Sequence, residues 1–159
     1  MKLAFLLEKL EEEELYKEFK KKYPHSFLYA GFFMFDTDKN QEEYHLDFFI
    51  PGINKVATIA HPFKEIKIQP DEVKNVKPLA LDLQIDIDNI KEKIEEIKKY
   101  KECNKKTSKI VAVLQDNVWG ITCISPTLDI LRMNICSTTG ECQKFDLSDF
   151  REFMKINKK

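Results

Sequence analysis

Two stretches of this chain of 159 residues carry the same order of predicted elements, and this repetition constrains the fold more than any other feature. Each stretch contains a helix followed by an apolar strand, a turn that follows an aspartate, and further strands separated by turns. The first stretch covers residues 1–72 and the second covers residues 79–159. We therefore predict an α+β fold of two similar halves, each a helix on an antiparallel meander, joined as separate sheets or as one continuous sheet.

The strand predicted in the first half at residues 27–35 has the sequence FLYAGFFMF and is apolar on both faces. A strand of this kind belongs in the centre of a sheet, where both of its faces can be covered. A turn-forming segment follows, and the remaining strands of the first half are predicted at residues 44–50, 55–60 and 65–69.

The second half is predicted to begin with a strand at residues 81–88, where leucine and isoleucine alternate with polar residues, mostly aspartate. A helix follows, for which Asp88 is the predicted N-cap. The remaining predicted elements are strands at residues 109–114, 118–125, 128–136 and 142–145, and a short helix from Ser148 to Ile156.

Two apolar stripes mark the first 23 residues, and at helical spacing they lie on nearly opposite sides. One straight helix cannot bury both stripes against one sheet. Either the helix breaks near residues 11–14, or one stripe meets a protein partner or a second copy of the chain. Under the second alternative, the predicted interface residues are Leu3, Leu6, Leu7 and Leu10.

Composition argues against several classes of function. The chain has 26 basic and 27 acidic side chains, and a nucleic-acid or anionic-membrane binder usually has a positive excess. Its four glycines are well separated, so the glycine-rich loops that hold nucleotide phosphates are missing and no cofactor is predicted. Residues 1–10 lack the features of a secretory signal, and no apolar run is long enough to span a bilayer, so we predict a cytoplasmic protein.

Three side chains are candidates for a metal or acid–base site. His45 and Asp47 share one face of a predicted strand, and His61 lies near their end of the sheet if the next strand pairs back. The alternative is that the histidines are separate residues at strand ends and in loops. A real cluster would favour a small metal-dependent or cysteine/histidine enzyme.

Cys136 and Cys142 flank a predicted turn at Thr139-Gly140. A two-residue turn places Ser137 opposite Cys142, with the two sulfurs on opposite faces. A three-residue loop places Cys136 opposite Cys142, and only this geometry allows a disulfide or a pair of thiol ligands.

The segment from Leu128 to Lys144 combines an alternating strand, this Thr-Gly turn followed by an acidic residue, and a return strand. It is similar to the end of PepSY-like domains, which are small modules of one helix on an antiparallel sheet that sometimes occur in tandem. In the first half, the segment from Pro62 to Glu65 replaces the Thr-Gly turn. The resemblance implies a non-catalytic binding or regulatory module, so the predicted function is an interaction module that uses the leucine stripe or the open sheet face.

Overall fold

The structure, a computed structural model, describes residues 1–148. Within that range the chain forms three α-helices, a short 3₁₀ turn and eight strands. The helices are α1 (Leu3–Glu11), α2 (Glu14–Lys22) and α3 (Ile90–Tyr100). The strands are β1 (Phe27–Asp36), β2 (Gln41–Ile50), β3 (Lys55–Ala60), β4 (Ile66–Glu72), β5 (Lys109–Gln115), β6 (Val118–Ile124), β7 (Ile130–Cys136) and β8 (Cys142–Ser148).

All eight strands belong to one antiparallel sheet with the order β4-β3-β2-β1-β5-β6-β7-β8. The first four strands form one meander and the last four form another. The two meanders join where β1 pairs with β5, so the strand that is apolar on both faces is central, as its sequence predicts. The predicted α+β fold with antiparallel meanders is confirmed, and of the two alternatives for joining the halves the chain adopts one continuous sheet.

Short polar turns connect the strands and explain their register. The carboxylate of Asp36 accepts hydrogen bonds from the backbone N–H groups of Asp38 at 3.1 Å and Lys39 at 3.0 Å, which closes the β1–β2 turn. Asp116 and Asn117 have positive φ angles of 52° and 62°, as a two-residue hairpin turn requires.

The N-terminal helix is broken, and this break accounts for both of its apolar stripes. α1 ends at Glu11 and α2 begins at Glu14, while the N–H of Glu13 donates to the carbonyl of Leu10 at 3.0 Å. Each short helix can therefore turn its own stripe towards the same sheet. In the second stripe, Phe19 is 6 % exposed and its ring packs against Phe48 of β2.

The expectation of an interface at the leucine stripe is corrected by this packing. The leucines are covered within the chain: Leu3 is 1 % exposed, Leu6 and Leu10 are 0 % exposed, and Leu7 is half-buried beside the same core. Because the helix breaks, three of the four leucines of this stripe are buried inside the chain and cannot contact a partner.

The prediction of a strand at residues 81–88 is wrong, because the structure has no strand there. The backbone of Ile85 is engaged elsewhere: its N–H donates to the carbonyl of Ser137 at 3.0 Å, and its carbonyl accepts from Nε1 of Trp119 at 2.8 Å. Ile85 and Ile87 are buried and anchor this segment to the core. The alternation of apolar and polar residues therefore belongs to an irregular segment and not to a strand.

Asp86 lies between these two isoleucines and accounts for the next helix start. Its carboxylate accepts from the N–H of Ile87 at 2.7 Å, and the Asn89 side chain accepts from the N–H of Asp86 in return. The same carboxylate accepts from the N–H of Leu3 at 2.8 Å, which fixes the start of α1 beside the start of α3. Asp86 is the N-cap of the 3₁₀ turn (Ile87–Asn89) that leads directly into α3. The predicted N-cap, Asp88, lies inside that turn and caps neither element.

One continuous hydrophobic core extends under both halves and includes residues of all three helices. The predicted units 1–72 and 79–159 therefore share a sheet and a core within the described residues. The predicted C-terminal helix begins at Ser148, which ends β8, and its other residues lie outside the described part of the chain. Among residues 1–148, none of the helices is both long and apolar enough to cross a bilayer.

Candidate binding face

The helices of residues 1–148 pack on one face of the sheet and leave the other face without a helical cover. The core cluster joins residues of α1, α2 and α3 to one set of alternate strand residues, such as Phe33 and Trp119. The intervening residues point to the opposite side. We call this side the open face; on the four central strands it includes Phe32, Met34, Asp36, Gln41, Glu43, His45, Lys109, Val111, Val113, Gly120, Thr122 and Ile124.

The strand register arranges these residues in rows that run across β2, β1, β5 and β6. The three rows are His45–Phe32–Val113–Gly120, Glu43–Met34–Val111–Thr122 and Gln41–Asp36–Lys109–Ile124. At the two central strands the first two rows are apolar, and the third row carries one negative and one positive charge. The junction of the two halves is therefore the most apolar part of this face.

A groove of about 410 Å³ lies at one end of this junction, over the rows of Met34 and Asp36. Its apolar lining includes Met34, Val111 and Ile124, and its charged lining includes Glu43 and Lys109. The three apolar side chains are half-buried, as expected for a sheet face that is not covered by another layer. A concave apolar surface with a few charges at its edge suits the binding of an apolar or amphipathic partner.

A chain of polar side chains lies further along the open face, on the outer strands of the first half. Oγ1 of Thr58 donates to Oδ1 of Asp47 at 2.7 Å, and Nε2 of Gln69 donates to Oγ1 of Thr58 at 3.1 Å. Burial raises the pKa of the Asp47 carboxyl, although the hydrogen bond from Thr58 and the charge of His45 act against the rise. Burial, together with the negative charge of Asp47, also raises the pKa of Tyr29.

The structure does not bring the three predicted metal candidates together. His45 and Asp47 lie on the open face, as predicted. The ring of His61 instead packs against the rings of Tyr44 and Phe63, at centroid distances of 5.8 Å and 5.2 Å, and both of those residues belong to the core on the helix side. Within residues 1–148, no three His, Cys, Asp or Glu side chains are grouped so that they could hold a metal ion.

The hairpin cysteines adopt neither of the two predicted registers. Ile135 opposes Cys142, and the N–H of Cys136 donates to the carbonyl of Glu141 at 2.8 Å. Since Cys136 follows Ile135 in the strand, its sulfur points to the opposite face from that of Cys142, and both thiols are free. Hydrogen bonding, first of all with the Thr138 side chain, lowers the pKa of Cys136 to about 7.

The groove was not predicted from the sequence, although a signal for it is present. β5 has the sequence KIVAVLQ, in which Val111 and Val113 occupy the parity opposite to that of the core residues. Val111 and Val113, together with Met34 on β1, place apolar side chains on the open face. An antiparallel sheet with one face in solvent usually has polar side chains on that face. Only the pairing of β1 with β5 shows that these residues are neighbours.

Comparison with known proteins identifies a fold and no family. No protein-family model and no curated protein matches the chain. A crystal structure from Clostridium difficile 630, of a protein named "putative lipoprotein", is similar with a TM-score of 0.53 and 15 % sequence identity. The match covers 84 % of this chain and 90 % of that chain. At this identity the likeness shows the fold alone, and the resemblance to PepSY-like modules stays a prediction.

Proposed function

We propose that this protein is a non-catalytic binding module and that its binding surface is the open face of the sheet. The observation that carries the proposal is the apolar groove of about 410 Å³ at the junction of the two halves, on the face that no helix of residues 1–148 covers. A concave, mostly apolar surface with a few polar groups at its edge is the usual form of a binding site.

The charged side chains beside the groove fit binding better than catalysis. Asp36 is engaged in closing its own turn through two backbone N–H groups. Lys109 is exposed to solvent at the start of β5, and Glu43 is the only acid that shares the row of Met34 and Val111 on these strands. Such charges can orient a partner across an apolar surface, which favours a protein partner or a second copy.

A cytoplasmic location is part of this proposal. All four cysteines, Cys103, Cys123, Cys136 and Cys142, are free thiols, as is usual in a reducing compartment. The proposed partner is neither a nucleic acid nor a membrane, because the chain has no positive excess: it carries 26 basic and 27 acidic side chains.

Binding of the amphiphilic, anionic dye 8-anilinonaphthalene-1-sulfonate tests the proposal on protein at low micromolar concentration. The folded wild type should enhance the dye's fluorescence, and Val111→Glu should lose most of the enhancement because it places a negative charge in the groove. The matched control is Leu81→Glu, since Leu81 is 51 % exposed and lies outside the sheet. Thermal unfolding of each variant ensures that no dye response arises from a loosened core. Equal enhancement by the two variants, or none by the wild type, would contradict the proposal.

A further inference from the structure

We propose that the partner of the open face is a second copy of this chain, packed face to face about a two-fold axis that runs parallel to the strands between β1 and β5. This inference rests on the proposed function, because it names the occupant of the same surface. Closed two-fold dimers are the commonest assemblies of identical chains, and each contact in them occurs twice.

The position of the axis decides which side chains meet. A half-turn about an axis along the strands keeps each residue in its row and exchanges the two sides of the sheet. β1 of one copy therefore lies over β5 of the other, and β2 lies over β6.

The two central apolar rows are self-complementary under this operation. Met34 of one copy faces Val111 of the other, and Phe32 faces Val113. Each of these side chains is half-buried in the single chain, so the second copy can cover apolar surface that the chain itself leaves open. Burial of such surface is the main favourable contribution to association.

The third central row supplies charge complementarity. Asp36 and Lys109 are cross-strand partners on β1 and β5, so the axis places Asp36 of each copy opposite Lys109 of the other. Both sets of opposite charges meet, and this two-fold arrangement places no like charges of this row against each other.

At the outer positions of the first row, a large side chain of one copy faces a glycine of the other. His45 on β2 faces Gly120 on β6 of the second copy. A Cβ built on Gly120 would meet only the carbonyl oxygen of Val113, at 3.8 Å, so the space in front of this glycine is open. The His45 side chain is 31 % exposed and can occupy this space.

The area of the open face is sufficient for a stable dimer. Eight strands spaced by about 4.8 Å span about 34 Å, and seven residues along a strand span about 23 Å. With all eight strands covered, the face therefore offers at most about 800 Å² per copy, which is the contribution of one partner to an interface of standard size. The charged residues of the outermost strands would lie at the rim of this area.

Charge reversal with mixing of variants tests the arrangement. Asp36→Lys alone and Lys109→Asp alone each place like charges across the axis, so each should raise the dimer dissociation constant by about tenfold or more. In an equimolar mixture, every charge of one variant faces an opposite charge of the other. Native mass spectrometry with one variant labelled with ¹⁵N should therefore show the mixed dimer as the main species.

Asp36→Lys removes two hydrogen bonds that close the β1–β2 turn, so this variant can fail to fold. Val111→Lys provides a second test that does not depend on that turn. Light scattering at about 50 µM should give the wild type twice the chain mass of 18.8 kDa and Val111→Lys a single chain mass, with Leu81→Lys still dimeric. A monomeric wild type at every concentration, a dimer that Val111→Lys leaves intact, or a mixture without preferred mixed dimers would each overturn the inference. A monomeric wild type that still binds the dye through Val111 overturns the dimer and leaves the proposed function standing.

Discussion

Asp86→Ala is expected to lower the free energy of unfolding by about 2–3 kcal/mol, because one carboxylate holds both the start of α1 and the 3₁₀ turn that leads into α3. Asp86 accepts a hydrogen bond from the N–H of Ile87 at 2.7 Å, beside the start of α3, and another from the N–H of Leu3 at 2.8 Å, at the start of α1. Alanine leaves both N–H groups without this partner.

The magnitude follows from the two bonds taken separately. Loss of an N-cap side chain costs about 1 kcal/mol, with a range of roughly 0.5–2 kcal/mol. A hydrogen bond to a charged group contributes about 1.5–3 kcal/mol, and we take the lower end because water can reach the N–H of Leu3 at the partly buried site. Asp86→Asn keeps an acceptor oxygen and should cost about half as much.

Urea denaturation followed by circular dichroism measures the effect. With a slope of about 2 kcal/mol per molar urea, the midpoint of Asp86→Ala should fall by about 1 M or slightly more. Asp88→Ala is the matched control, because Asp88 is exposed and is the cap that the pattern alone predicts. It should cost at most about 0.5 kcal/mol. A loss below about 0.5 kcal/mol for Asp86→Ala, or an equal loss for both variants, would refute the assignment of the cap.

Three further predictions follow from burial and from pKa shifts. Leu6→Ala should destabilise the fold by about 3–5 kcal/mol without changing the mass measured by light scattering, because Leu6 is 0 % exposed within its own chain; a change of mass at equal stability would restore the leucine interface. Asp47→Asn should stabilise the protein at pH 7, because a carboxyl pKa raised above 3.8 in the folded state makes the wild type lose stability as pH rises through that range; the gain over wild type should vanish at pH values below 3.8, and a gain that is independent of pH would contradict it. Cys136, with a pKa lowered to about 7, should be alkylated by iodoacetamide near neutral pH, whereas Cys123, whose pKa burial raises to about 12, should react only on unfolding; peptide mass mapping that finds both labelled equally in the folded protein would contradict this.

The strands were predictable because their signals are local. Residues 55–60 form β3 with the predicted ends, and β1 and β5 each extend only one residue beyond the prediction. Turn residues such as Asp116 and Asn117 adopt the positive φ angles that their types favour. The order of the sheet then follows from antiparallel neighbours with short connections.

Segment 81–88 was not predictable, because its alternation has the same period as a strand. What decides its structure is distant in sequence: Trp119 and Ser137 take the backbone hydrogen bonds of Ile85, and Leu3 donates to Asp86. Local sequence propensity carries no information about hydrogen-bond partners that are distant in sequence.

The candidate site was predictable only in part. The sequence predicts an open aromatic sheet face, and the structure places Phe32 and Met34 on a face without a helix among residues 1–148. The groove itself depends on Val111 and Ile124, which reach β1 only through the β1–β5 and β5–β6 pairings. Those pairings join residues of the two halves and have no signature in either half alone.

Methionine-methyl NMR tests the central claim, that the open face binds and the helix face does not. Met34 is half-buried in the groove, and Met133 is 1 % exposed in the core on the opposite side of the sheet. Titration of ¹³C-methyl-labelled protein with 8-anilinonaphthalene-1-sulfonate, at the low micromolar protein concentration used for the fluorescence test so that a second copy does not cover the face, should shift the Met34 resonance and leave that of Met133 in place, with assignments from Met34→Leu and Met133→Leu. A Met34 resonance that does not move, or one that moves together with Met133, would contradict the account.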